Sequence, residues 1–362
     1  MSFHDDCLVL DGHTDVPMQL WGSPADLSER RTDRHVDLPR LREGGVDALV
    51  FALYLPASLS AERGAEHIFE LYDRTVGHLA EGMTLAPGVQ DIRDAVSRRA
   101  VAVILGLENG RPLSIPGVLE RCAAIGVRYV TLTHWATHEW CDASTDEPRH
   151  GGLSELGVRL VREMNRLGVV PDVSHVSDDA VRHVLEVSAV PVMASHSSAR
   201  ALCDHPRNLP DELIRDIARK DGLVMANSYP AFVSPEAARA DKERGAKLRP
   251  ELAAVDELYL SDPPAHWARH RELMAENPLP RVPLSVYVDH IVHLIEQAGE
   301  EHVGIGTDFD GIPETLEGLE DVSRFPALTE ALLKRGVDRA GVRLILGENF
   351  LRVLARAERF AA

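Results

Sequence analysis

Short apolar runs alternate with longer amphipathic stretches along this chain, a rhythm that predicts strand–helix units around a parallel sheet. The first run, Leu8-Val9-Leu10, meets Asp11-Gly12-His13-Thr14-Asp15. Further runs predict strands at 46–55, 101–107, 129–133, 169–173, 190–194, 223–227 and 303–307. Near-continuous apolar runs of this kind suit strands buried on both faces. Between them, 61–81, 117–125 and 154–167 carry helical spacing; in the last, Leu156, Leu160, Val161, Met164 and Leu167 share one side. Ser177 reads as an N-cap ahead of Asp178 and Asp179, and Pro210 opens a further helix.

Eight strand-like runs match the (β/α)8 TIM barrel, so the expectation is one α/β domain over 1–362 with extra C-terminal helices. Residues 229–283, after the seventh run, break the rhythm: they are charged, bear prolines and are too long for a simple connection. Helical spacing recurs there at 237–247 and 264–275. This insertion is expected to be a surface excursion, a lid over the barrel mouth or a dimer contact.

Barrel active sites are built from the C-terminal ends of the strands. An imidazole or carboxylate ends six of the eight runs: His13 with Asp15, Glu108, His134, His175, His196 and Asp308. Each alone has an ordinary explanation, a hydrogen-bonded strand-end histidine or a turn-capping acid. Their shared placement argues for one site. Imidazoles and carboxylates are zinc ligands, and this set exceeds the four positions of one ion, so two Zn2+ ions are expected. Glu108 is the natural bridge, with His13 and Asp15 on one ion and His175 and His196 on the other. A hydroxide bridging the ions would attack an amide carbonyl. Asp308 would pass the proton to the leaving amine, and His134 would steady the oxyanion.

Composition narrows the partners. With 44% hydrophobic and 27% charged residues, the 362-residue chain has ample material for a core. A net charge of -18 disfavours nucleic acid and anionic membrane surfaces, which select basic faces. Cys7, Cys122, Cys141 and Cys203 form no Cys-x-x-Cys pair and read as free thiols of a reducing compartment. No run has the length of a membrane span, and the N-terminus is acidic where a secretory signal would be basic and then apolar. A cytoplasmic location is expected.

The chain resembles the membrane or renal dipeptidase family, binuclear zinc peptidases of the amidohydrolase superfamily. The resemblance spans nearly the whole sequence. It is carried by Asp11-Gly12-His13-Thr14-Asp15, Asp37-Leu38-Pro39-Arg40-Leu41, Tyr129 to His134, Asn165-Arg166-Leu167-Gly168, Asp172 to Ser177, Ser195 to Ala199 and Gly306 to Gly311. It implies the same ligand set (His13, Asp15, Glu108, His175 and His196), with Asp308 handling the proton and His134 touching the substrate carbonyl. It also implies that Arg207, in His205-Pro206-Arg207-Asn208, binds the substrate carboxylate, and a guanidinium fork matches that task. Tyr229 joins His134 and Arg207 as a candidate substrate contact.

The implied activity is hydrolysis of dipeptides, L-Xaa-D-Xaa as well as L-Xaa-L-Xaa, by a homodimer. Thr137 and His138 depart from the family after His134, which bears on side-chain preference. His138 and His150 are expected to be solvated loop histidines. Two rival readings remain: a related hydrolase of N-acyl amino acids or cyclic amides, and a non-catalytic peptide-binding barrel.

Overall fold

In the computed structural model, which describes residues 2–23 and 25–361, the apolar runs pair in parallel and in chain order. The strands are β1 (Leu10–Thr14), β2 (Ala48–Tyr54), β3 (Val101–Glu108), β4 (Val127–Thr131), β5 (Val170–Asp172), β6 (Met193–Ala194), β7 (Leu223–Ala226) and β8 (Val303–Ile305). The ring closes between its first and last members. Thr14 bridges Phe309, and the Asp308 N–H donates to the His13 carbonyl at 3.1 Å. This is the (β/α)8 barrel that the eight runs predict.

Side chains alternate across each strand. Val50, Ile104, Val170, Met193 and Met225 belong to one buried cluster, while Leu49, Phe51, Val103 and Leu105 belong to the larger one shared with the surrounding helices. The C-terminal helix Asn349–Ala361 joins the first cluster through Phe350, Leu351, Val353 and Leu354. Local chemistry sets helix starts as read: the Ser177 side chain accepts from the Ala180 N–H, and Pro210 precedes Asp211–Arg219.

Three elements differ from the expectations. The helix predicted over 61–81 ends at Gly77, and Met83–Leu85 forms an extra strand. That strand lies against Val101–Val103, the part of β3 that β4 leaves free, since β4 pairs only from Leu105 onward. The sixth strand shrinks from the predicted 190–194 to two residues, because only Met193 and Ala194 find partners on β5 and β7.

The excursion is helical: Pro230–Val233, Pro235–Lys247, Arg249–Asp256, Leu258–Ser261 and Pro263–Glu276 precede the barrel helix Leu284–Ala298. Ser234 and Asp262 cap two of these helices by accepting from the N–H groups of Ala237 and Ala265. Leu248, Val255, Leu273 and Met274 give the excursion a small core of its own. It docks through Tyr259 and Trp267, which pack with Met18, Trp21 and Tyr54.

Candidate active site

Strand β3 delivers Glu108 to the C-terminal rim, and four imidazoles surround its carboxylate. The Nε2 atoms of His175, His196 and His134 lie 3.2, 3.5 and 3.9 Å from Glu108 Oε1, and His13 Nε2 lies 3.6 Å from Oε2. Asp15 Oδ2 stands 3.7 Å from His13 Nε2. Ligand atoms of His13, Asp15 and Asp308 fall within 4.8 Å of one another, as do those of His13, Glu108 and His196, and of Glu108, His134 and His175. Every residue of the sequence-predicted constellation is therefore at one rim. Two of them bend the chain to get there: His175 and Asp308 sit at φ +70° and +67°, a left-handed conformation costly for side chains other than glycine.

Hydrogen bonds fix which nitrogen His13 and His196 turn inward. Tyr129 Oη donates to the Gly12 carbonyl at 3.1 Å, so it accepts from His13 Nδ1–H at 2.7 Å and leaves Nε2 facing Glu108. Tyr129 lies beside Gly106 on β3, where a Cβ would stand 2.6 Å from the phenol ring. On the opposite side, Ser195 Oγ donates to Asp172 Oδ2 at 2.6 Å and accepts from His196 Nδ1–H at 2.7 Å. Asp172 is held in turn by the N–H groups of Ser174 and Ser195 and by the Thr131 hydroxyl. Such supports orient metal-binding imidazoles and raise their basicity.

This donor set fits a cation. His13 Nε2, His196 Nε2 and Asp15 Oδ1 are buried without a hydrogen-bond partner. Two inward lone pairs against a carboxylate repel unless positive charge lies between them. Burial opposes protonation of His13, but Tyr129, Glu108 and Asp15 outweigh it and hold the imidazole well above its usual range. Asp15 is pushed up as well, by burial and then by Glu108. Excess negative charge is thus packed where water is scarce, and a bound cation relieves it.

The sequence profile of the membrane dipeptidase family, peptidase family M19, matches residues 2–362. The chain belongs to this family. It is therefore an enzyme of a dipeptide-hydrolysing family on a (β/α)8 barrel. The dipeptidase verJ of Clonostachys rogersoniana is 30% identical over 98% of this chain and 85% of its own length. The dipeptidase aclJ of Aspergillus oryzae is 34% identical over 90% of this chain and 71% of its own. Among solved structures, the probable dipeptidase PvdM from Pseudomonas aeruginosa superposes with a TM-score of 0.84 at 25% identity, covering 99% and 97% of the two chains. A metallopeptidase from Rhodobacter sphaeroides, solved with a phosphinate mimic of the dipeptide L-Ala-D-Ala, shares the fold at a TM-score of 0.78, with 23% identity and 97% and 99% coverage. No helix among the described residues is long and apolar enough to cross a membrane.

In this M19 chain His134 and Arg207 lie near the carboxylate, and Tyr229 packs against Phe232. His134 packs edge-on against Tyr54, ring centroids 4.9 Å apart, and burial lowers its pKa to about 4. Arg207 is buried, with Nη2 donating to the His196 carbonyl at 3.2 Å and Nε unpartnered. Burial lowers its pKa to about 10 against the pull of Asp308 and Glu108, so it stays charged at neutral pH. The Tyr229 hydroxyl is taken up by Asp241 and Arg244, leaving its ring as what it can offer a substrate.

His138 and His150 depart from the solvated state expected of them. His138 is buried, its Nε2 on the Leu132 carbonyl at 2.9 Å, and His150 Nε2 meets the His138 carbonyl at 2.9 Å. Asp142 draws this loop inward by accepting from the N–H groups of Arg149, His150 and Gly152. Sequence reasoning missed Tyr54, Tyr129, Asp172, Ser195 and Asn227 as site residues. Tyr129, a polar-tipped ring that pairs with Gly106 across the sheet, carried the only local signal.

Proposed function

We propose that this chain is a zinc-dependent dipeptidase that cleaves L-Xaa-L-Xaa and L-Xaa-D-Xaa dipeptides. The observation that carries the reading is the convergence of His13, Asp15, His175 and His196 on Glu108, with lone pairs turned inward by Tyr129 and Ser195. In this reading His13 and Asp15 would hold one zinc ion and His175 and His196 the other, with Glu108 available to both. Zinc held there would make hydroxide available at neutral pH and polarise a carbonyl oxygen.

The chain's own residues do the rest. Arg207, buried and charged, binds the free carboxylate of the dipeptide in a site where a charge-assisted pair is strong. His134, kept neutral by burial, presents an N–H to the scissile carbonyl oxygen as charge develops there. Asp308 accepts from Asn227 Nδ2 on Oδ2 at 2.9 Å, so Oδ1 is the oxygen that holds the proton and gives it to the departing amine. The excursion walls one side of the mouth and restricts the entry of bulk water. The Tyr259 ring stands 6.0 Å from that of Tyr54, which in turn abuts His134.

The test is turnover by protein of counted zinc content. L-Ala-L-Ala and L-Ala-D-Ala are both hydrolysed, activity disappears on chelation, and zinc restores it. Turnover of N-acyl amino acids or cyclic amides in preference to dipeptides would move the chain to the related hydrolases. No turnover when fully loaded would leave only a binding role.

A further inference from the structure

Arg244 is an anomaly of the excursion. Its helix, Pro235–Lys247, faces solvent and buries only Ala237 and this arginine. The guanidinium donates to Tyr229 Oη at 2.8 Å, to Asp241 Oδ1 at 2.6 Å, to the Asn277 carbonyl at 3.3 Å and to Glu314 Oε1. Taking a charge out of water for stability alone is a poor exchange, since an apolar side chain packs there at lower cost.

Its partners lead to Asp308 from two sides. Glu314 lies in the loop that follows Asp308. Tyr229, whose hydroxyl Arg244 holds, donates its backbone N–H to Asn227 Oδ1 at 2.7 Å. That bond fixes the Asn227 amide with its NH2 group toward Asp308 Oδ2, at 2.9 Å, and the His196 carbonyl, at 3.4 Å. Asn227 is fully buried.

We propose that Arg244 and Asn227 are positioning residues for Asp308: Arg244 holds Tyr229 and Glu314, Asn227 occupies Oδ2, and Oδ1 is left aimed at the reacting atoms. The 229–283 excursion is then a strut of the proton-transfer machinery. The inference rests on the assignment of proton handling to Asp308 made above.

The test compares kcat, KM and Tm for zinc-loaded protein carrying Asn227→Ala, Arg244→Gln, Arg244→Lys, the Asn227→Ala/Arg244→Gln pair and Asp308→Asn. Asn227→Ala lowers kcat by about a hundredfold, the cost of a small misplacement, with KM within about threefold. Arg244→Gln lowers kcat by about tenfold, and Arg244→Lys recovers part of it. The double variant is no slower than Asn227→Ala alone, because both changes act through one carboxylate. Multiplied effects in the double variant, or an Arg244→Gln protein with reduced Tm and unchanged kcat, would overturn the proposal. Should Arg244→Gln not fold, Glu314→Gln removes the same tie without a change of shape, and its kcat and non-additivity with Asn227→Ala decide in the same way. Near-normal turnover by Asp308→Asn would remove the reading of the site itself. A dead Asp308→Asn beside normal Asn227→Ala and Arg244→Gln would remove this inference alone.

Discussion

Tyr129 Oη lies 2.7 Å from His13 Nδ1, and that contact determines which nitrogen of the imidazole faces Glu108. Its removal in Tyr129→Phe leaves His13 free to turn or to change tautomer. The expected result is zinc affinity weaker by about 10–100-fold, read by competition with a chelator, as for other lost supports of metal-bound histidine. Unchanged affinity would show that the phenol is only packing.

Gly311 tests the crowding between the two aspartates. A Cβ there would stand 2.1 Å from Asp15 Oδ2 and 2.8 Å from Asp308 Oδ1. Both atoms are ends of side chains and can retreat, so the fold survives Gly311→Ala, but the two carboxylates leave their places. Turnover falls by about tenfold or more while Tm stays within a few degrees. A large drop in Tm with normal specific activity would contradict this.

Much of this arrangement is legible in the sequence because parallel barrel strands, buried on both faces, read as apolar runs and hand their last residues to one rim. Thus His13, Glu108, His175 and His196 could be named before any coordinates. What escaped notice has physical reasons. Met83–Leu85 is too short for an alternating pattern, and its pairing exists only because β4 starts late. Tyr129, Ser195 and Asp172 sit within or beside apolar strands, where a polar group reads as core until its partner is known. The buried role of Arg244 depends on contacts with residues far along the chain, which helical spacing cannot reveal.

His290 gives the fold a pH dependence separate from catalysis. Its Nε2–H donates to the Val233 carbonyl at 3.0 Å and its Nδ1 accepts from the Ala199 N–H at 3.2 Å, a pairing that only the neutral ring can make. Burial lowers its pKa from 6.5 to about 4. Between those values the unfolded chain binds a proton that the folded one refuses, so this stability is present above pH 6.5 and lost as pH falls toward 4. The loss amounts to about 3 kcal/mol, and His138 acts in the same direction. Denaturant midpoints measured from pH 7 to pH 4 fall accordingly. In His290→Gln, stability at pH 7 is lower and the acid limb is shallower; an equally steep limb would contradict the assignment.

Arg207 tests substrate choice. Arg207→Lys keeps the charge but loses the planar fork. KM for dipeptides rises by about ten- to a hundredfold, the range of a charge-assisted hydrogen bond, while dipeptide amides are processed as before. Equal losses for both substrates would place Arg207 in the framework of the site.

The central claim is that five residues from four strand ends clasp two divalent cations around Glu108. Anomalous diffraction from crystals of the zinc-loaded protein, collected on either side of the zinc absorption edge, tests it most directly. Two peaks are expected on either side of the Glu108 carboxylate, about 3.5–4 Å apart. One lies against His13 and Asp15 and the other against His175 and His196. Peaks confined to the protein surface, or none at Glu108 in an active enzyme, would contradict the account.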